Sequence, residues 1–453
     1  MANTRSLAPS VNGAPVATRP PATHFPPRAI RITGLGILCF LCGTTVDVRF
    51  DLGGGLFLIE PLIALLALQC LLALGPGKSF VAHLFLGFIV AGLVTFSGYL
   101  LSDLVAANEP AQFLRGWGRV GFLILDCSAL MILAAHGRQN IWWLAVGIAV
   151  GGIASLGLAG APISEWKSGY GEFVALLVVA LAPLAPAPLA AAFVGSFGVL
   201  CMFLDYRSLG AVCLLVGMAM LWQPPINGGN ALRRRLLIGL TMAIAITAVI
   251  ATVTLTKEEF SERRQQSNIG RYAGIVVAWR AITESPLIGY GSWAADRRFG
   301  RMFQMEIAQL ERENPSARGD GRSSGSDNQS ILPHSQILQA CVEGGILGIA
   351  FFVLYGYHLF RGLHWFAVQG GKDRLRSLFV FLLMMGLWHF FASPFLGSKR
   401  IEIAMAVAVI FVAAHERRFQ AGAMRALHAR SGAVDPGGKA GVARLGAQRP
   451  ASG

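Results

Sequence analysis

Charged residues are scarce in this chain. Asp, Glu, Lys and Arg make up 14% of its 453 residues, whereas hydrophobic residues make up 54%. Soluble domains carry about 25% charged residues, so this chain has too few to cover a water-facing surface. The scarcity therefore argues against the soluble domains, about three, that the length alone would allow. It predicts an all-α, polytopic integral membrane protein instead.

Several motifs that carry nucleotide or metal chemistry are also missing. The chain contains no P-loop and no H-E-x-x-H motif. It has no Asp-x-Asp pair of the kind that holds a divalent cation on a nucleotide-sugar phosphate. The nearest carboxylate pair, Glu311 and Glu313, lies in a charged stretch that is better interpreted as a solvated helix face. We therefore expect no metal site and no cofactor.

The net charge of +14 does not indicate a nucleic-acid partner. Lys and Arg sit in short loops and tails between apolar segments, where they set the orientation of a membrane protein. Because these positions explain the positive charge, we expect no nucleic-acid partner. We expect the protein to be embedded in the lipid bilayer.

Apolar runs long enough to cross a bilayer follow one another along the chain. A membrane-spanning helix needs about 20 mostly apolar residues. This criterion predicts about 12 transmembrane helices. They lie near residues 31–47, 55–74, 80–101, 119–135, 141–160, 171–186, 188–204, 208–223, 235–255, 335–360, 376–393 and 401–415. The prolines of APLAPAP, between the sixth and seventh spans, predict a tight turn or a kink.

Short loops predict the orientation of these helices. With twelve spans both termini lie on one side, together with the basic run Arg233-Arg234-Arg235, and the Lys/Arg excess marks that side as cytoplasmic. Acidic residues such as Asp103 and Glu109 dominate the opposite short loops. The predicted organisation is a disordered cytoplasmic tail at 1–29, transmembrane helices 1–9 in 30–255, an extracytoplasmic loop at 256–333, transmembrane helices 10–12 in 334–416, and a disordered cytoplasmic tail at 417–453.

The loop at 256–333 is long, and long loops are usually functional. Residues 271–284 form an amphipathic helical stretch that is too short and too polar to span a bilayer. The Pro/Gly turn SPLIGYGSW follows it, and then a charged helical stretch to about Glu313. The loop ends with Leu332, Pro333 and His334, at the start of the tenth helix.

Three loop-side residues stand out by their positions. Arg207 begins a helix, Arg271 opens the amphipathic stretch, and His334 precedes the tenth helix, so the topology puts all three on one membrane face. Each has a simpler interpretation: interface snorkelling for Arg207, an ordinary loop arginine for Arg271, and a helix-cap neighbour for His334. Their shared face favours a site.

Three segments resemble signature blocks of the O-antigen ligase and O-antigen polymerase superfamily. They are DYRSLGAVCLL, GRYAGIVVAWRAITESPLIGYG and PHSQILQACVEGGILGIAFF. In that family an Arg begins a helix, a later Arg precedes a Trp and a Pro-Gly turn, and a His opens a helix with an E-G-x-x-G pattern. The matching positions are Arg207, Arg271 and His334, with Glu343 in the last pattern. Arg280 also flanks the Trp, so the second arginine is either Arg271 or Arg280.

The resemblance implies a metal-independent glycosyltransferase whose donor is a glycan linked to undecaprenyl pyrophosphate. The acceptor would be lipid A-core or a growing glycan, on the periplasmic face of the bacterial inner membrane. Arg207 and Arg271 would bind the pyrophosphate, since the planar guanidinium binds phosphate oxygens bidentately. His334 would be the general base or a phosphate ligand, and Arg280 and Glu343 would contact substrate.

Three alternatives remain open at this point. A repeat-unit polymerase, or a relative that glycosylates a pilin, would use the same lipid carrier. A transporter for an anionic substrate would also have many helices and a basic vestibule. Transporters often show internal repeats and mid-membrane broken helices, whereas this sequence shows no repeat and its unusual residues lie at one face. An O-antigen ligase is the preferred interpretation.

Overall fold

The computed structural model describes eleven stretches of the chain, and helices dominate them. They are residues 30–50, 55–77, 79–107, 109–162, 166–167, 169–221, 258–294, 297–313, 333–366, 373–396 and 399–432. Within them only β1 (Arg49–Phe50) and β2 (Leu56–Phe57) pair as strands, in a short antiparallel ribbon. The predicted all-α class is confirmed.

Fourteen α-helices lie in the described part of the chain. Eight precede the long loop: α1 Gly34–Gly43, α2 Ile59–Leu74, α3 Ala82–Ala106, α4 Pro110–His136, α5 Arg138–Leu158, α6 Tyr170–Leu181, α7 Ala187–Phe203 and α8 Arg207–Leu221. Two lie in the loop: α9 Glu258–Glu284 and α10 Arg297–Glu313. Four follow: α11 Gln336–Gly348, α12 Ala350–His364, α13 Arg376–Ala392 and α14 Arg400–Gly432.

The number of membrane spans is smaller by strict criteria than the sequence predicts. Among the described residues, α3, α4 and α5 are long and apolar enough to cross a bilayer, and α11 with α12 adds a fourth if the bent pair is one span. Six further apolar helices are only 10–17 residues long. The predicted count of about twelve is therefore not confirmed, and the span predicted at 235–255 lies outside the described residues.

The proline-rich boundary between α6 and α7 is a break, as predicted. A 3-10 turn at Ala182–Leu184 ends the first helix, and α7 begins at Ala187 with a proline in its first turn. Proline lacks an N–H and is tolerated only at such helix starts, which explains the position of the break.

The predicted tenth helix is not continuous. Its two parts, α11 and α12, are bent by 116°. Gly345 has φ 60° and ψ −154°, which is not helical, and the backbone N–H of Ile346 donates to the carbonyl of Pro286 at 3.0 Å. A Cβ atom on Gly345 would lie 2.3 Å from the carbonyl oxygen of Leu287. Backbone from the loop thus replaces the normal helical hydrogen bonding here.

Helix α14 forms the centre of the bundle. All its residues from Ile403 to Ala413 are at most 6% exposed, because they are apolar on every side, as expected for a fully buried helix. The helix continues to Gly432. The segment predicted as a disordered tail from residue 417 therefore begins as a continuation of this helix, while residues 1–29 lie outside the described chain.

Candidate active site

Arg207 is the first residue of α8 and follows a tight turn. Asp205 has φ 59°, a left-handed conformation that few non-glycine residues adopt. The hydroxyl of Tyr206 donates to the carboxylate of Glu172 at the start of α6. Burial and that carboxylate raise the pKa of Tyr206, so the hydroxyl keeps its proton and remains a donor. Arg207 Nε lies 4.0 Å from Asp205 Oδ1. The turn, held to α6 by the hydrogen bond from Tyr206 to Glu172, therefore fixes the backbone position from which the Arg207 side chain extends.

The two loop helices pack against the broken helix. Val277, Ala278 and Ala281 of α9 form a small buried cluster with Phe299 of α10 and Val342 of α11. The stretch predicted as a helix at 271–284 is helical, and the helix extends back to Glu258 as α9. Because α9 carries Arg271, this packing fixes the position of that residue relative to α11.

Residues 286–293, here termed the docked turn, are bound to the helix bundle by main-chain hydrogen bonds. The N–H of Gly291 donates to Ser102 Oγ at 2.6 Å. The N–H and hydroxyl of Ser292 both donate to the carboxylate of Asp103 at 2.6 Å. Ser102 and Asp103 belong to α3, so the turn joins the loop firmly to a membrane helix.

Glu343 lies completely buried beneath this turn. Its carboxylate pairs with the Arg119 guanidinium of α4 and accepts hydrogen bonds from Gln339 Nε2 at 2.9 Å and the N–H of Trp293 at 3.2 Å. The guanidinium in turn lies 4.6 Å from the Trp293 ring and 4.9 Å from the Phe395 ring. Glu343 thus connects α4, α11 and the docked turn. A direct contact with substrate, as predicted for Glu343, would require this cluster to open.

Arg271 and His334 lie close together. Pro333 is 3.9 Å from the Cβ position of Gly274, one turn along α9 from Arg271. Partial burial and the positive charge of Arg271 lower the pKa of His334, which keeps its imidazole neutral at neutral pH. Arg271 Nε is buried and has no hydrogen-bond partner among the residues that the structure describes. This pair thus combines a cationic donor with a neutral imidazole at the N-terminus of α11.

Arg280 lies on the opposite face of α9. It follows Arg271 by nine positions, and at about 100° per residue this spacing corresponds to a half-turn difference in direction. Its side chain is 56% exposed and lies 3.9 Å from the carboxylate of Glu306 in α10. Of the two candidate arginines, only Arg271 therefore lies beside His334 in the described structure.

A further charged cluster, which the sequence analysis did not predict, lies at the same end of the bundle. We call Lys399, Glu172, Glu402 and His389 the lysine cluster. Lys399 Nζ donates to Glu172 and to Glu402, both at 2.8 Å, and His389 Nε2 lies 2.7 Å from Glu402. Burial alone would lower the pKa of Lys399, but the two carboxylates raise it, so the ammonium stays charged.

The lysine cluster borders a cavity of about 530 Å³ between α2, α5, α6, α13 and α14. Ligand atoms of Glu172, His389 and Glu402 lie within 4.8 Å of one another, which is a spacing that suits a metal. However, the ammonium of Lys399 already supplies a positive charge to both carboxylates. The sequence held one signal for this cluster: Lys399 and Glu402 are three residues apart at a helix start, the spacing of an intrahelical ion pair.

Hydrogen bonds connect the lysine cluster to the His334 region through α13. Ser335, the N-cap of α11, donates its hydroxyl to the carbonyl of Phe390 at 3.2 Å. Phe390 follows His389 of the lysine cluster, and Glu172 of the same cluster binds the residue preceding Arg207. The predicted residues Arg207, Arg271 and His334 are thus linked to one end of the bundle, which we call the loop end.

Apolar helices with clusters of charged side chains at their ends are features of an integral membrane protein with polar surfaces. Residues 173–353 match the family model described as O-Antigen ligase. This match supports the O-antigen ligase superfamily, as the sequence motifs predict, and the matched segment contains all five predicted site residues. No curated protein matches the chain. The family indicates a glycosyltransferase-like enzyme with glycan-lipid substrates in a membrane.

Proposed function

We propose that this protein is an O-antigen ligase that transfers a glycan from undecaprenyl pyrophosphate to lipid A-core. The observation that carries the proposal is the proximity of Arg271 to His334 at the N-terminus of α11. A buried, unpaired guanidinium N–H among the described residues offers a hydrogen bond to a phosphate oxygen. The neighbouring helix N-terminus favours the same negative charge.

The transfer needs one proton acceptor and one anchored leaving group. An acceptor hydroxyl attacks the anomeric carbon of the donor, and the bond from that carbon to the pyrophosphate oxygen breaks. The lipid pyrophosphate leaves with the bonding electrons, and Arg271 and Arg207 stabilise its charge. His334 accepts the proton of the hydroxyl as general base, a role suited to an imidazole that is neutral at neutral pH.

The reaction proposed here uses guanidinium groups where other glycosyltransferases use a divalent cation. In the part of the chain that the structure describes, the one carboxylate–histidine group with metal-like spacing is bridged by Lys399. Arginine never loses its charge near neutral pH, so it can neutralise a pyrophosphate permanently. We therefore expect transfer to proceed at an unchanged rate in EDTA.

The loop end is proposed to face the periplasm. Arg138 pairs with Asp373 and with Glu416 at the other end of the bundle. Arg138 and the stretch Lys372 to Arg376 belong to short loops rich in Lys and Arg, and such loops remain on the cytoplasmic side. The contacts place these loops at one end of the bundle, so the loop end is expected on the opposite, periplasmic side.

The proposal is tested with purified protein in detergent or liposomes, without an ion gradient. Supplied with undecaprenyl-pyrophosphate-linked glycan and lipid A-core, the protein should form glycan-capped lipid A-core. Longer glycans on the lipid carrier, without capped acceptor, would instead identify a polymerase. Uptake of an anionic glycan that depends on a gradient, without any transfer product, would identify a transporter and overturn the proposal.

A further inference from the structure

The lysine cluster makes direct contact with the turn that precedes Arg207. Lys399 and Tyr206 donate to the two oxygens of the same carboxylate, that of Glu172. Tyr206 is the residue immediately before Arg207, and Asp205 on its other side has a left-handed backbone. A strained turn of this kind persists only where its surroundings hold it. The contact with Glu172 is such a restraint.

The hydrogen bonds within the lysine cluster leave little capacity for a ligand. Glu172 receives Tyr206 on one oxygen and Lys399 on the other. Glu402 likewise receives Lys399 on one oxygen and lies against His389 with the other. Carboxylates that are satisfied in this way organise their neighbours more readily than they coordinate a metal or a sugar.

We infer that Glu172 and Lys399 are positioning residues that hold Arg207, through Tyr206, in the orientation needed to bind the donor. The inference rests on the proposed function, because it assigns the lysine cluster to the arginine that binds pyrophosphate. Binding groups must be held within about 0.5 Å of the productive geometry, and a neighbouring shell of hydrogen bonds provides this. Lys399 donates to Glu172 and so keeps its carboxylate directed at Tyr206. Glu402, which lies against His389, holds the lysine.

The matched segment of the O-antigen ligase family runs from residue 173 to 353. Glu172, Lys399, Glu402 and His389 all lie outside it, so the family match does not indicate this role. It follows from the contacts that join α6, α13 and α14 to Tyr206, the residue before α8.

The test is a double-mutant cycle between Tyr206→Phe and Arg207→Lys. The first substitution removes a single hydroxyl from a well-packed ring, so the fold should survive. We expect it to lower kcat/KM by about 10-fold to 100-fold, the range expected for a misplaced catalytic group. In the Arg207→Lys background it should cause almost no further loss, because the hydroxyl acts through the guanidinium. If the fold losses in kcat/KM of the two single variants multiply in the double variant, the inference is overturned.

The neighbouring ion pair of Glu60 and Arg400 provides a matched control. Arg400 follows Lys399 in the sequence, but its side chain contacts α2. Its Nε donates to Glu60 at 2.6 Å in a fully buried pair. Glu60→Gln should lower thermal stability, and any kinetic loss should multiply with that of Arg207→Lys. Within the lysine cluster, Lys399→Met should mimic Tyr206→Phe, and Lys399→Arg should restore most of the activity.

The same measurements separate the inference from the proposed function. Wild-type transfer by Arg207→Lys would show that Arg207 does not bind the donor as proposed. A strong loss in Arg207→Lys together with wild-type kinetics in Tyr206→Phe would leave the proposed function intact and overturn only the positioning role.

Discussion

The carboxylate of Glu343 accepts a hydrogen bond from the backbone N–H of Trp293 at 3.2 Å, across 50 positions of sequence. The same carboxylate pairs with Arg119 in a cluster where both side chains are at most 2% exposed. One side chain thus joins a membrane helix, a broken helix and the docked turn. This arrangement keeps α9, and with it Arg271, in register with the N-terminus of α11.

Glu343→Gln should mainly destabilise the protein. It removes the charge that compensates buried Arg119, and breaking a buried ion pair typically costs about 3–5 kcal/mol. Thermal unfolding of the purified variant in detergent should show a lower midpoint. The double variant Glu343→Gln with Arg119→Met should lose less than the sum of the two single variants. An unchanged midpoint with abolished transfer would assign Glu343 to substrate instead.

Arg271→Lys should reduce transfer strongly, whereas Arg280→Lys should not. Lysine keeps the charge but loses the planar pair of donors that matches phosphate, and loss of one such donor typically costs about 10²-fold or more. The matched control, Arg280, is exposed and lies near Glu306 of α10. Initial rates at equal amounts of folded protein check both. The opposite pattern would move the phosphate-binding role to Arg280.

The fold was predictable where the sequence contains long apolar runs or clustered prolines. Apolar runs gave the helical class, and the prolines of APLAPAP gave the break before Ala187. The start of α4 was missed, because Arg119 and the residues before it are too polar for a span until Glu343 neutralises the arginine. The bend after Gly348 was also missed, since it depends on backbone bonds from a turn more than 50 residues earlier.

The site residues come from motifs that the sequence predicts to share one membrane face, and their roles stay a prediction. Pro333 lies against Gly274, which brings His334 near Arg271, and the helical spacing of Arg271 and Arg280 indicates opposite faces of α9. The lysine cluster was not predictable in the same way. Glu172 and Lys399 are 227 positions apart, and sequence patterns indicate contacts only between residues of one helix or strand.

The ends of α10 and α14 should lie on opposite sides of the membrane. The basic short loops near Arg138 and Asp373 lie with α14 residue Glu416 at one end of the bundle, and such loops remain cytoplasmic. Reporter fusions after Glu313 and after Gly432 in an expressing cell should report periplasm and cytoplasm, respectively. Two fusions on the same side would contradict this topology.

His334→Ala should lower the rate of transfer by about 10²–10⁴-fold, the usual contribution of a general base. Burial and Arg271 lower the pKa of His334, so the imidazole is neutral and able to accept a proton down to mildly acidic pH. The wild-type rate should therefore fall as pH drops below this lowered pKa, and the Ala variant should lack that limb of the pH profile. The control is the neighbouring variant Ser335→Ala, which removes the cap of α11 and should affect stability more than pH dependence. A rate that falls as pH rises would show that the protonated imidazole binds phosphate, and a wild-type profile in His334→Ala would remove the residue from the site.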